Sequence, residues 1–184
     1  MFERYTDAAK RVVFYARAEA LHQKATAIST KHLLVGLTYE GNSRACQIGS
    51  LKENASNLRS SVGVPWPTTK LVQSSEPGIP LDKNAKIALT YAAREANRDL
   101  QFWIDSDHLL RGLMRFPNDA SQTMQKIGLD LGSARAASAE NRKRFPAQSA
   151  LQLRLLKILL RKYWMKILLV VLLALVFGYL KMQS

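Results

Sequence analysis

Two stretches of this chain, STKHLLVGL (29–37) and DSDHLLRGL (105–113), set a histidine in the same frame, and Lys31 in the first becomes Asp107 in the second. Histidine is a metal ligand and a proton carrier near neutral pH. Here His32 and His108 have no recognisable further ligands, so no metal is expected; both read as structural residues that hydrogen-bond near a helix cap. Glu19 and Glu95 recur in the same way and could suggest paired carboxylates for acid–base work. They sit in Ala-rich helical stretches, however, and read as helix-surface or inter-helix contacts. Cys46 is the only cysteine, which excludes an internal disulfide and a multi-cysteine zinc site. It has no counterpart cysteine, since Gln122 aligns with it, and reads as a small buried residue. No nucleophile–base arrangement of recognisable spacing appears, so neither an enzyme nor a cofactor is expected.

The elements that must position these residues come in duplicate. An offset of 76 aligns Ala9, Lys10, Tyr15, Ala16, Glu19 and Ala20 with Ala85, Lys86, Tyr91, Ala92, Glu95 and Ala96. The same offset aligns Ile28, His32, Leu33, Leu34, Gly36 and Leu37 with Ile104, His108, Leu109, Leu110, Gly112 and Leu113, then Asn42 with Asn118 and Arg59 with Arg135. No gap is needed, so the chain contains an internal duplication. Each copy reads as helices. Thr6 and Asp82 are equivalent N-cap residues before segments with apolar positions at helical spacing and no Pro or Gly. Thr30 and Ser106 are equivalent N-cap candidates for the second helix, which puts Lys31 and Asp107 at the first helical position. There the helix dipole favours a negative charge and disfavours a positive one. A third helix is expected around 43–51 and 119–127, and a fourth from near Asn54 and Asp130. Residues 63–80 hold four of the six prolines and read as the linker. No alternating β pattern appears. The expected fold is all-α: two pseudo-twofold-related four-helix repeats, 1–62 and 81–138.

The formal net charge of +13 is unevenly spread. Residues 1–138 hold 18 Lys+Arg against 13 Asp+Glu, whereas residues 139–184 hold 9 against 1. After a polar linker, 139–150, the stretch LQLRLLKILLRK (151–162) places Arg154, Lys157 and Arg161 on one side of a helix otherwise covered by leucines, as suits an anionic membrane surface. Residues 163–181 then read as one transmembrane helix. Lys162 and Lys181 bracket roughly 28 Å of helix, close to the thickness of a bilayer core. Trp164, Tyr163 and Tyr179 fall at interfacial depth, and Lys166 is near enough to the end to snorkel. Positive charge on the N-terminal side predicts a cytoplasmic domain. With three residues after Lys181 and no apolar h-region at the N-terminus, a tail-anchored, single-pass architecture is expected.

MFERYTDAAKRVVFYARAEA followed by ISTKHLLVGL, with a second copy after a linker, resembles the Clp N-terminal repeat domain at the head of ClpC-type unfoldase ATPases. The resemblance covers residues 1–138. It implies a module that binds protein substrates and adaptors, with a Clp ATPase as a further partner, and in some members phosphoarginine. The family usually places a glutamate between the Thr and His of this phrase, able to pair with a cationic ligand group. The resemblance therefore nominates Thr30, Lys31, Ser106 and Asp107 as ligand positions, with the second pocket keeping its polarity and the first losing or inverting it; the alternative is that positions 31 and 107 are simply solvated surface. These 184 residues hold no G-x-x-x-x-G-K-[ST] loop and not even a Gly-Lys dipeptide, so the family's ATP hydrolysis is not expected of them.

The expected function is a membrane-anchored recognition module for Clp machinery, without its own ATPase, at the cytoplasmic face of a bacterial inner membrane. Membrane lipid is the second expected partner. Polyanion or nucleic-acid binding is the alternative suggested by the charge, and a structural scaffold is another. Nucleic acid is disfavoured, because the basic excess lies beside the membrane segment and no basic stretch interleaved with aromatics offers base stacking.

Overall fold

The computed structural model describes residues 2–41, 43–48, 51, 53–61 and 78–144. Most of the expected linker and all of the expected membrane region, including Lys162, Trp164, Lys166, Tyr179 and Lys181, lie outside the described residues. No helix among the described residues is long and apolar enough to cross a membrane.

The described residues form seven α-helices and one 3₁₀ turn, and no strand. Repeat one holds α1 (Asp7–His22), α2 (Thr30–Tyr39), the 3₁₀ turn Ala45–Gln47 and α3 (Ala55–Ser61). Repeat two holds α4 (Lys83–Arg98), α5 (Ser106–Met114), α6 (Asp119–Lys126) and α7 (Leu131–Arg144). The expected caps of the first helices are present: Thr6 Oγ1 accepts from the Ala9 amide at 3.2 Å and Asp82 Oδ1 from the Ala85 amide at 2.6 Å.

Three boundaries differ from expectation. The second helices are capped one residue earlier, by Ser29 and Asp105, so Thr30 and Ser106 are the first helical residues and Lys31 and Asp107 the second. The deciding contact comes from the histidines three residues beyond each cap. The Ser29 amide donates to His32 Nδ1 at 2.9 Å, and the Asp105 amide to His108 Nδ1 at 2.8 Å. Among the described residues of 43–51, the third helix of repeat one is replaced by 3₁₀ structure, including the turn Ala45–Gln47. In repeat two, Ser121 reciprocates the Asn118 cap by accepting from the Asn118 amide, 2.9 Å; its counterpart Ala45 has no side chain to do so. Finally, α7 continues past residue 138 to Arg144, so the folded unit includes the first residues of the expected polar linker.

The duplicated phrase is explained by packing. A Cβ on Gly36 would stand 2.3 Å from the Val12 carbonyl oxygen, and one on Gly112 would stand 2.5 Å from the Ala88 carbonyl oxygen. Val12 and Ala88 are themselves equivalent. Buried alanines (Ala9, Ala16 and Ala20 on α1; Ala85, Ala88, Ala92 and Ala96 on α4) flatten the facing helices so that each pair can approach this closely.

The two repeats are joined reciprocally. Ile28 donates to the Pro80 carbonyl (2.8 Å) and accepts from the Asp82 amide (3.0 Å); Ile104 donates to the Arg4 carbonyl (2.7 Å) and accepts from the Thr6 amide (3.0 Å). Each bond is the other's image under the 76-residue offset, which is what a pseudo-twofold requires. Leu33, Leu37, Leu109 and Leu113 meet along the seam with Val12, Ala88 and Leu89, giving one continuous core.

Candidate functional site

The residues nominated from sequence do not form one site. Thr30 and Ser106 are buried, and Ser106 Oγ accepts from the Ala45 amide at 3.2 Å across the repeats. The Lys31 side chain is 45% exposed and pairs with Asp119 at 3.2 Å. Asp107 is enclosed: its carboxylate is bonded by Ser138 Oγ, by the His108 amide at 3.0 Å and by Arg111 at 3.4 Å. A cationic ligand would have to displace Arg111 to reach it.

Asp107 belongs to a buried charge cluster that sequence reading missed. Arg111 lies on the inner face of α5, 1% exposed, and also contacts Asp99 at 2.5 Å and Glu95 at 3.3 Å. Glu95, read from sequence as a helix-surface or inter-helix residue, is the second kind. It is 2% exposed and also holds Arg115 at 3.1 Å and Arg135. Asp99 also binds Arg142 of α7. Burial pushes both the Asp99 and Glu95 carboxyls up, but hydrogen bonds outweigh it and hold both below the ordinary carboxylate range. Arg111 and Arg142 donate to Asp99, with His108 Nε2 facing it at 3.4 Å, and Arg135 donates to Glu95, where the charges of Arg111 and Arg115 assist. The cluster therefore stays ionised and clamps α4, α5 and α7 together.

Repeat one does not repeat this cluster at the equivalent positions, because Gln23, Lys31, Val35 and Tyr39 stand where repeat two has Asp99, Asp107, Arg111 and Arg115. His32 Nε2 meets Gln23 Oε1 at 3.1 Å, whereas His108 Nε2 faces Asp99 at 3.4 Å. Burial lowers the His32 pKa, which keeps that ring neutral and able to accept from the cap amide. Arg59, the counterpart of Arg135, instead donates to Thr38 Oγ1 at 2.9 Å and stacks 4.5 Å over the Tyr39 ring. Cys46 is buried as expected, its thiol on the Leu37 and Glu40 carbonyls. The signal available in the sequence was that these differences between the copies come together: the acids Asp99 and Asp107 arrive with Arg111 and Arg115.

An open groove of about 350 Å³ is lined by the N-terminal segment, α4 and Ile104. Its floor is Tyr5, Leu89 and Ile104, each at most 6% exposed. Its rim carries Glu3, Arg4 and Lys86, and Thr90 and Ala93 form the α4 wall. Burial pushes the Tyr5 phenol up to about 12, so the floor stays uncharged. Beside the groove the α4–α5 connection exposes Phe102 at 60% and Trp103 at 43%. An apolar floor and a charged rim suit an extended apolar chain segment rather than a compact polar ligand.

No protein-family model matches the chain. Two curated relatives, each called an ATP-dependent Clp protease ATP-binding subunit ClpA homolog, from Porphyra purpurea and Pyropia yezoensis, are 30% identical over 142 residues. The match takes in 74% of this chain and 17% of each relative. Chaperone protein ClpC1 of Arabidopsis thaliana is 31% identical over 137 residues, 73% of this chain and 14% of that protein. The chain thus spans under a fifth of the length of the curated relatives it matches. Among solved structures, the N-terminal domain of the caseinolytic protease associated chaperone ClpD from Arabidopsis thaliana superposes with a TM-score of 0.57 at 21% identity, covering 78% of this chain and 97% of that one. The Hsp104 N-terminal domain from Candida albicans gives 0.59 at 16%, covering 76% and 92%. The described unit has the fold of Clp and Hsp104 N-terminal domains.

Proposed function

We propose that this chain is a recognition module of Clp-type machinery that binds protein substrates or adaptors at the cytoplasmic face of a bacterial inner membrane, held there by residues 163–181. What it binds is passed on to a Clp ATPase. The groove over Tyr5, Leu89 and Ile104 carries this reading, since an apolar, open slot with a charged rim fits an extended apolar segment of a client. Likeness to Clp relatives supports the machinery, and the apolar run ILLVVLLALVFGYL between Lys166 and Lys181 supports the tether.

The test is binding of a fluorescently labelled, permanently unfolded model protein to the full chain in detergent. Replacing Thr90 with Trp fills the groove from an exposed helical position. The expected result is at least tenfold weaker binding, on the order of 1.4 kcal/mol. Unchanged affinity would remove the groove from the reading. Flotation of the full chain with vesicles tests the tether independently.

A further inference from the structure

Leu100 is 93% exposed and has φ of +55°, in the left-handed region. For a non-glycine residue that conformation is unfavourable, and an exposed leucine recovers nothing by burial. The counterpart in repeat one, Lys24, has the same backbone conformation (φ of +52°) and an ordinary surface side chain. The neighbouring positions differ in the same sense: Phe102 and Trp103 stand where repeat one has Thr26 and Ala27. Repeat two has therefore acquired three large apolar side chains on one tight connection, two of them stacked edge to face with centroids 5.1 Å apart.

None of the three belongs to the hydrophobic core or the charge cluster, and an exposed apolar patch of this kind marks an interaction surface. Two observations select the partner. The first is charge. Arg4 lies over the Phe102 ring at 5.2 Å and donates to the Phe102 carbonyl, and exposed Arg98 ends α4 two residues before Leu100. Glu3 is the exposed acid nearby on the groove rim, while the adjacent Asp99 is already neutralised by Arg111 and Arg142. The second is where the chain leaves the domain. Arg142, in the last turn of α7, binds Asp99, the residue before Leu100. The last turn of α7 thus lies beside this loop at Arg142, and by sequence the basic, leucine-rich stretch 151–162 begins seven residues after Arg144. That is at most about 25 Å of extended chain.

We infer that the Leu100–Trp103 connection is a second membrane contact, which inserts Leu100, Phe102 and Trp103 into the interface of an anionic bilayer and seats the recognition domain on the lipid surface. Apolar and aromatic tips flanked by arginine are what such an interface takes. This rests on the tether proposed above. The loop then holds the domain in one orientation instead of letting it swing on its linker, so the adjacent groove opens along the membrane plane.

The experiment is depth-dependent quenching of Trp103 in the full chain reconstituted into phosphatidylcholine–phosphatidylglycerol vesicles, with Trp66 and Trp164 replaced by Phe. The expected result is a blue-shifted Trp103 emission, quenched more by lipids brominated near the headgroup than by lipids brominated at the acyl end. Leu100→Asp with Phe102→Asp should abolish the quenching while flotation is retained; aspartate tolerates the left-handed conformation at least as well as leucine. A chain that floats with unshifted, unquenched Trp103 overturns the inference and leaves the tether standing. A chain that does not float overturns the tether and this inference with it. A blue shift caused by an added unfolded protein but not by vesicles assigns the loop to clients and overturns the lipid reading.

Discussion

Replacing Gly112 with alanine tests why the duplicated phrase carries a glycine. In an ordinary helix interior the change is favourable by about 1 kcal/mol. Here the added methyl would lie 2.5 Å from the Ala88 carbonyl oxygen and 2.7 Å from the Ala92 nitrogen, both backbone atoms. No rotamer relieves such a clash, so α5 must move away from α4 by the better part of an ångström. Overpacking of this kind costs about 1–3 kcal/mol, and the loosened alanine contacts along the pair put this site at the upper end. Set against the propensity gain, the net loss is about 2 kcal/mol, or a Tm lower by roughly 4–8 °C for a domain of this size. Gly36→Ala, where the approach is 2.3 Å, should cost more. Gly41→Ala is the control, because a Cβ there has no neighbour within 4 Å and the change should move stability by less than about 0.5 kcal/mol. The assay is thermal and urea unfolding followed by far-ultraviolet circular dichroism. Gly112→Ala as stable as the parent, or more stable by the propensity increment alone, would refute the close-approach argument.

Arg111→Leu should destabilise by about 3–5 kcal/mol, since it leaves Glu95, Asp99 and Asp107 with fewer partners in a buried site. Arg115→Ala, with a side chain 41% exposed, should cost less than about 1 kcal/mol; urea midpoints that rank the two the other way would dissolve the cluster as a stabilising unit. Stability should also fall with acid. The Glu95 and Asp99 carboxyls are held below their ordinary values, so the folded state binds fewer protons than the unfolded one. Their contribution is complete above the ordinary carboxylate pKa of about 4 and is lost as pH drops toward the lowered folded values. His32, lowered by burial, acts in the same direction at higher pH, with loss beginning below about 6.5. Urea midpoints that stay flat from neutral pH to pH 3 would contradict both signs. Groove filling at Thr90 and depth quenching at Trp103 complete the set.

What was legible in the sequence is what the backbone dictates locally. The 76-residue offset, the caps at Thr6 and Asp82 and the all-helical pattern follow from side-chain type and spacing, and the structure shows all of them. The caps of the second helices were off by one because Ser29 and Thr30, like Asp105 and Ser106, are adjacent residues of equally cap-competent type. The choice falls to His32 and His108, which reach back three residues to a backbone amide, and a histidine in that role is not a habitual helix-start signal. The charge cluster was illegible for another reason. Glu95 looks like a surface residue until the docking of α7 brings Arg135, 40 positions on, against it, as it brings Arg142 against Asp99, 43 positions on. Local pattern cannot price a buried carboxylate whose neutralising partners come from another helix. Comparison of the two copies can, because a duplicated fold supplies its own control. Where Val35 and Gln23 suffice in one repeat, Arg111 and Asp99 appear together in the other, and the same comparison exposes the unshared Leu100, Phe102 and Trp103. Departures from internal symmetry thus divide into those that compensate one another inside the domain and those left uncompensated on its surface. The uncompensated ones are where a partner is to be sought.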